Sequence, residues 1–191
     1  RSSVLQGINL VSLPGGARAH LPLPGIPTDL DIYPDSLRAI AVMKDVRAVA
    51  VIDLTDLDAD PRIVEIPEGP VGLAALDFEA DLALLYTVAE SDPRVTRLDI
   101  QSGAQVVWDV RKRIEGVQLN PSGTRAVLFH GKDEQPRSNS PSDLWLASSF
   151  AYTVLDVRTG FSKLQTTATR PGEFVFTDDD QWMFVVVEDP G

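Results

Sequence analysis

An all-β fold assembled from a repeated four-stranded unit is predicted for this chain by three observations. A polar turn followed by an apolar run comes back four times. Tyr33-Pro34-Asp35-Ser36 leads into Ala39–Met43, and Phe78-Glu79-Ala80-Asp81 into Leu82–Tyr86. Asn120-Pro121-Ser122-Gly123 leads into Ala126–Phe129, and Thr177-Asp178-Asp179-Asp180 into Met183–Val187. A second motif follows the first three of these: an apolar strand ending in Asp53, Asp99 or Asp156, a turn rich in Ser, Thr, Asp and Gly, and another strand. Finally, the runs after the polar turns are continuously apolar, as in strands covered on both faces, and no segment keeps a 3.6-residue period over a helix length.

The spacings from Pro34 to Glu79, Pro121 and Asp178 are 45, 42 and 57 residues. A period of roughly 40–50 residues carrying several short strands marks a β-propeller blade. Each unit reads strand a, polar turn, strand b, loop, strand c, hairpin, strand d. The first element, residues 1–27, is a half-blade of strands c and d, built on Gly7–Leu13, the turn Pro14-Gly15-Gly16 and Ala17–Leu23. Full blades follow at 28–69, 70–113 and 114–170, the first two separated by the turn Glu68-Gly69-Pro70. Residues 171–191 form a second half-blade, strands a and b. The fold class is therefore all-β: a β-propeller of four-stranded antiparallel blades, three full blades plus two half-blades.

The third blade carries the one long insertion, residues 131–143, which lengthens the last spacing to 57. Its sequence, Gly-Lys-Asp-Glu-Gln-Pro-Arg-Ser-Asn-Ser-Pro-Ser-Asp, reads as a mobile polar loop between strands b and c. Insertions in repeat proteins map to loops on one face, often the binding face. Its neighbourhood supplies the candidate ligand-binding residues: His130, which ends strand b, then Lys132, Asp133 and Arg137, and Trp145 just after the loop. Trp108 and Trp182 read as packing residues.

Acidic clusters supply the candidate metal ligands. Asp178, Asp179 and Asp180 are adjacent carboxylates that repel one another and that a cation would stabilise. The bland alternative is an exposed turn. Asp56-Leu57-Asp58-Ala59-Asp60 opens like a calcium loop, but Pro61 and Pro67 stand where an EF-hand needs Gly and Glu. Asp53, Asp99 and Asp156 fit hairpin turns in which the carboxylate accepts backbone N–H groups, or else a ring of acids about a channel. With two histidines and no cysteine, a three-His zinc site and any thiolate site are excluded.

Composition bounds the partners. The chain has 191 residues, 17 basic and 28 acidic, and a net charge of −11. That field repels nucleic acid and anionic lipid. No apolar stretch approaches the ~18–20 residues of a membrane span. The first residues, Arg1-Ser2-Ser3, and the last, Asp189-Pro190-Gly191, read as cut ends, so a missing export signal is uninformative.

Asn120-Pro121-Ser122-Gly123-Thr124-Arg125-Ala126-Val127 and Tyr152-Thr153-Val154-Leu155-Asp156-Val157-Arg158-Thr159-Gly160 resemble the YVTN-type repeat, with its P-D-G-like turn before strand b and its V-x-D-x-x-T-G-like hairpin after strand c. The resemblance spans Thr28 to Val187. Phe78-Glu79-Ala80-Asp81 departs from it in lacking Pro and Gly. The single Trp108-Asp109 pair falls in strand d, unlike the pair of WD repeats. The resemblance implies a six- to eight-bladed ring, with this chain one arc of it and the rest of the propeller as a partner; the alternative is that the two half-blades close a small ring. The absence of cysteine leaves the compartment open, and the setting expected is extracytoplasmic: periplasmic, secreted or surface.

No nucleophile elbow, phosphate loop or H-E-x-x-H is present. The functional expectation is a non-catalytic scaffold that binds a protein or small-molecule ligand on its loop face, without a cofactor. The alternative is a propeller enzyme of lactonase or quinoprotein-subunit type with a site at the central channel.

Overall fold

The computed structural model describes residues 6–11, 13, 15–16, 18–88, 92–133 and 135–187. The two terminal segments read as cut ends lie outside the described residues, as do Pro14 and Ala17 of the first hairpin. The described chain contains sixteen strands and one helix. β1 (Gly7–Val11) and β2 (Arg18–Pro22) form an antiparallel hairpin. β3 (Asp29–Ile32), β4 (Arg38–Met43), β5 (Ala48–Asp53) and β6 (Arg62–Glu65) form a four-stranded antiparallel meander. A second meander holds β7 (Leu73–Asp77), β8 (Leu82–Tyr86), β9 (Arg94–Asp99) and β10 (Gln105–Asp109). The third consists of β11 (Gly116–Leu119), β12 (Arg125–His130), β13 (Phe150–Asp156) and β14 (Ser162–Thr167). β15 (Pro171–Phe176) and β16 (Met183–Val187) close the chain as a two-stranded sheet.

The polar turns explain the repeat. Each of the four places one residue in the left-handed region, at the same position: Ser36 (φ 58°), Asp81 (φ 49°), Gly123 (φ 64°) and Asp180 (φ 57°). In three of them that residue's N–H closes the turn, on the carbonyls of Tyr33, Asn120 and Thr177. Gly, Asp and Asn tolerate such a conformation best, which is why the turn has a sequence signature at all. At Gly123 a second constraint acts: a Cβ would lie 1.6 Å from Asp77 Oδ2. Asp77 is buried there because its other oxygen accepts the N–H groups of Glu79 and Ala80.

Two compact units make up the chain, one up to Ala74 and one from Ala75, so that the division falls within β7. In the first unit, the β1–β2 hairpin packs face to face on the β3–β6 sheet. Leu21 and Leu23 meet Ala39, Ala41, Met43, Ala50 and Ile52 in one buried cluster. In the second unit, the β7–β10 and β11–β14 sheets stack through Leu82, Leu84, Val95, Ala126, Leu128 and Leu155. The other face of the β11–β14 sheet meets β15, where Phe174 stacks on Phe129 at 4.6 Å and edge-on to Tyr152 at 5.4 Å. Gln118 Nε2 also donates to the Phe174 carbonyl. β4, β8 and β12 are almost wholly buried, as continuous apolarity predicts. β16 is not: Phe184 is 62% exposed, and Val186 and Val187 are exposed as well. Its sheet has only two strands, so an apolar run alone did not guarantee cover.

The all-β reading needs one amendment. Pro141–Ser148 is a helix, α1, lying where the insertion meets β13. Its eight residues are too short to display a period. Its capping chemistry is nevertheless written in the sequence: Ser140 is the N-cap and accepts the Asp143 N–H, Pro141 opens the first turn, and Asp143 puts a carboxylate near the positive end of the helix dipole.

Candidate functional site

The insertion expected to be a mobile excursion is tied to the body of the second unit at its root. Lys112, between β10 and β11, is 1% exposed. Its ammonium donates to Asp133 Oδ2 at 2.9 Å and to the Leu146 carbonyl at 2.8 Å. The Asp133 N–H in turn donates to the Ala147 carbonyl at 2.9 Å. One buried cation therefore gathers the start of the insertion and the last turn of α1 at one point. Further out, Arg137 makes a two-pronged contact with Asp109 at 3.0 and 2.6 Å. That contact is half-exposed, and it holds the Asp109 carboxyl below its usual range.

These contacts reassign several of the residues picked from sequence. Asp133 is occupied by Lys112 and anchors the loop from beneath. Arg137 is occupied by Asp109. His130 is 1% exposed, with both ring nitrogens engaged: Nδ1 lies 2.9 Å from the Arg113 carbonyl and Nε2 2.8 Å from Thr153 Oγ1. A carbonyl only accepts, so Nδ1 carries the proton and the Thr153 hydroxyl donates to Nε2. Burial pulls the ring down to about 4, so it is neutral near pH 7. His130 borders a hollow of about 210 Å³ next to Glu115 and Arg170. Glu115 is already held by Arg113 at 3.2 Å and Arg170 at 2.6 Å, and Gly131 leaves the space for it, since a Cβ there would meet Glu115 Oε1 at 2.1 Å.

Lys132 and Trp145 remain, and the structure brings them together. They border a pocket of about 350 Å³ with Ser148, Ser149, Phe150 and Thr167. α1 delivers Trp145, Ser148 and Ser149; the paired ends of β13 and β14 deliver Phe150 and Thr167, which are directly opposite in register. The Lys132 ammonium sits 5.0 Å from the centre of the Phe150 ring, a cation–π contact, and forms no ion pair among the described residues. Trp145 is 59% exposed. Its own carbonyl accepts the hydroxyls of Ser148 at 2.9 Å and Ser149 at 2.7 Å, and Thr167 donates to the Thr169 carbonyl at 2.8 Å. Those hydroxyl protons are spent, so Ser148, Ser149 and Thr167 offer lone pairs.

Among the described residues no group of three acidic or histidine side chains is placed to share a metal ion. Asp179 Oδ1 accepts the Thr177 hydroxyl at 2.5 Å and the Gln181 N–H at 3.1 Å, which lowers its pKa. Asp180 is the left-handed residue of the same turn, so the acid whose carboxylate is shown engaged there is Asp179. Asp53, Asp99 and Asp156 cap their hairpins. Each accepts from the second or third residue onward: Asp53 from Thr55, Asp99 from Ser102, Asp156 from Arg158 and Thr159. Those bonds hold all three carboxyls below the usual range. Trp182, read as a packing residue, is 70% exposed, while Trp108 packs against the buried cluster of the second unit.

Sequence reading missed Lys112. It sits in Arg111-Lys112-Arg113, a triplet that looks solvated, and its carboxylate partner is 21 residues away. Nothing local marks it. Ser148 and Ser149 were equally unmarked, although Ser140-Pro141-Ser142-Asp143 was a usable sign that a helix starts there.

No family model matches the chain, and no curated protein matches it. Solved structures do. Hydrazine synthase from Kuenenia stuttgartiensis superposes with a TM-score of 0.62 at 16% identity, over 94% of this chain and 55% of that one. The dihydro-heme d1 dehydrogenase NirN, solved in complex with DHE, gives 0.59 at 18% identity, over 85% and 33%. A functionally unknown protein from Desulfotomaculum acetoxidans gives 0.59 at 16% identity, over 96% and 57%. The first two are β-propeller proteins, and with the four-stranded meanders they establish the fold class: this is a β-propeller chain. It spans between 33% and 57% of the length of these neighbours.

Proposed function

We propose that this chain is a non-catalytic binding scaffold whose ligand, a small polar molecule, enters the pocket between α1 and the β13–β14 ends. The observation that carries this reading is the buried Lys112–Asp133 pair, which fixes the insertion where it sets Lys132 and Trp145 around a 350 Å³ space. Cavities of roughly 300–1,000 Å³ are the usual size for small ligands. The pocket lies on the side of the blade bearing the b–c and d–a connections, where insertions tend to be functional. The repeat pattern supports the finer assignment to YVTN-type repeats, and the exposed apolar face of β16 supports further propeller strands as its partner. The catalytic alternative gains nothing from His130, whose nitrogens are both occupied.

The test is ligand-observed NMR on the full chain against a library of amino acids, simple carboxylates, amines and sugars, repeated with Trp145→Ala. Hits that vanish in the variant support the reading. An empty screen, or hits that all persist in Trp145→Ala, overturns it.

A further inference from the structure

From the donor and acceptor inventory of this pocket we infer that its ligand is a carboxylated sugar, a pyranose ring bearing an acid such as a uronate. The inference rests on the binding reading above and names the chemistry it leaves open. Four features converge. An exposed tryptophan, Trp145, borders the pocket. Three hydroxyl-bearing residues of its lining, Ser148, Ser149 and Thr167, have already donated their protons to backbone carbonyls, so each presents lone pairs. One ammonium, Lys132, lacks a carboxylate partner among the described residues and is steadied over Phe150. The volume, about 350 Å³, is at the small end of the range for ligand sites.

Each feature selects against a class of ligand. A wall of acceptor lone pairs rewards a ligand that brings several O–H or N–H donors, and penalises a purely apolar or acceptor-only one by leaving polar groups unmatched. An indole face rewards a flat patch of C–H groups. A pyranose supplies both: hydroxyl donors around its rim and an apolar C–H face. The lone ammonium then decides between neutral and acidic sugars. A carboxylate placed on Lys132 gives a charge-assisted bond, roughly twice as strong as a neutral one. An amino sugar brings a like charge to the same place. The chain's overall charge of −11 opposes any anion at long range, so the attraction is local and depends on Lys132.

The experiment titrates the full chain with glucuronate, galacturonate, glucose and galactose, read by saturation-transfer NMR and tryptophan emission. Lys132→Met keeps the side-chain stem and removes the charge; Trp145→Ala removes the platform. Both positions are exposed, and thermal melts check that each variant is folded. The expected result is uronate binding at least tenfold tighter than its neutral counterpart, lost to that level in Lys132→Met, with all sugar binding abolished in Trp145→Ala. Equal binding of neutral and acidic sugars, or no change in Lys132→Met, overturns the acidic specificity. If the library yields Trp145-dependent ligands but no sugar registers, this inference falls and the scaffold reading stands. If no molecule of any class depends on Trp145, both fall.

Discussion

Acidification should withdraw stability through one side chain at higher pH than the lowered carboxylates do. His130 is 1% exposed, its Nδ1 proton is given to the Arg113 carbonyl, and its Nε2 receives the Thr153 hydroxyl. A second proton has to go on Nε2, where it would face a donor already in place. Burial is the main reason the ring is pulled from 6.5 to about 4; Lys112 lowers it further, while the Arg113 carbonyl and the charges of Asp133 and Glu115 pull it back up. The folded value lies below the unfolded one, so between them the unfolded chain holds more protons. The stabilisation is thus complete above the unfolded value, near 6.5, and is lost as pH falls through about 4. A gap of about two and a half pH units, at about 1.4 kcal/mol each, gives about 3 kcal/mol. The lowered carboxyls act in a different window: Asp99, Asp109 and Asp156 start from 3.8 when unfolded and withdraw support only below that. Asp31, raised by burial and by Asp29, works in the opposite sense just above 3.8. Relief of the chain's acidic self-repulsion also favours the fold as pH falls. His130→Gln isolates the histidine from these effects, because Gln can donate to Arg113 and accept from Thr153 without titrating. Urea unfolding followed by tryptophan emission at several values between pH 7 and pH 4.5 should show wild type losing stability relative to the variant, with the difference growing as pH drops. A wild-type-minus-variant difference that stays flat across that interval would refute the buried, neutral ring.

Asp133→Ala should destabilise by about 3–5 kcal/mol, because it strands the Lys112 ammonium in the interior, whereas Lys112→Met deletes the same bond and should cost clearly less; chemical denaturation of both variants measures the asymmetry, and equal losses would mean that Lys112 is not buried as a charge. Deleting residues 131–143 carries the same penalty, so a deletion that leaves the melting temperature unchanged contradicts the anchored insertion. Gly123→Ala forces a Cβ onto a left-handed residue and into Asp77, for an expected loss of roughly 2–3 kcal/mol; a thermal melt within error of wild type would show the turn to be built differently. Arg137→Ala removes a half-exposed contact and should shift stability by no more than about 1 kcal/mol.

The repeated architecture was legible because its determinants are local. A left-handed residue at one position of a turn leaves a preference for Gly, Asp or Ser at that position, and Ser36, Asp81, Gly123 and Asp180 show it. An Asp that caps its own hairpin leaves a register, and Asp53, Asp99 and Asp156 show that. The insertion was legible in length, through the 57-residue spacing, but not in its order. Its polar, proline-containing composition describes a segment without a core of its own. What holds it is supplied by Lys112 and Asp109, distant in sequence and chemically indistinguishable there from solvated charges. Lys132, in the insertion, and Trp145, just after it, could be picked from the sequence as candidates. Their meeting at one pocket depends on α1, whose capping residues were visible and whose period was not.

The Lys112–Asp133 pair also bears on why the insertion exists. A buried ion pair is a poor device for stability: the desolvation of both charges offsets much of their attraction, and an apolar pair of similar volume often does as well. What an apolar side chain cannot do is choose a partner. The ammonium reaches one carboxylate oxygen and one carbonyl, and in doing so it fixes the entry of the insertion and the exit of α1 within a single hydrogen-bond length of each other. That constraint leaves Lys132, the neighbour of the anchored Asp133, and Trp145, the neighbour of the anchored Leu146, bordering the same pocket. Such an arrangement is what the proposed binding role calls for, since there two recognition residues must be held at a fixed separation.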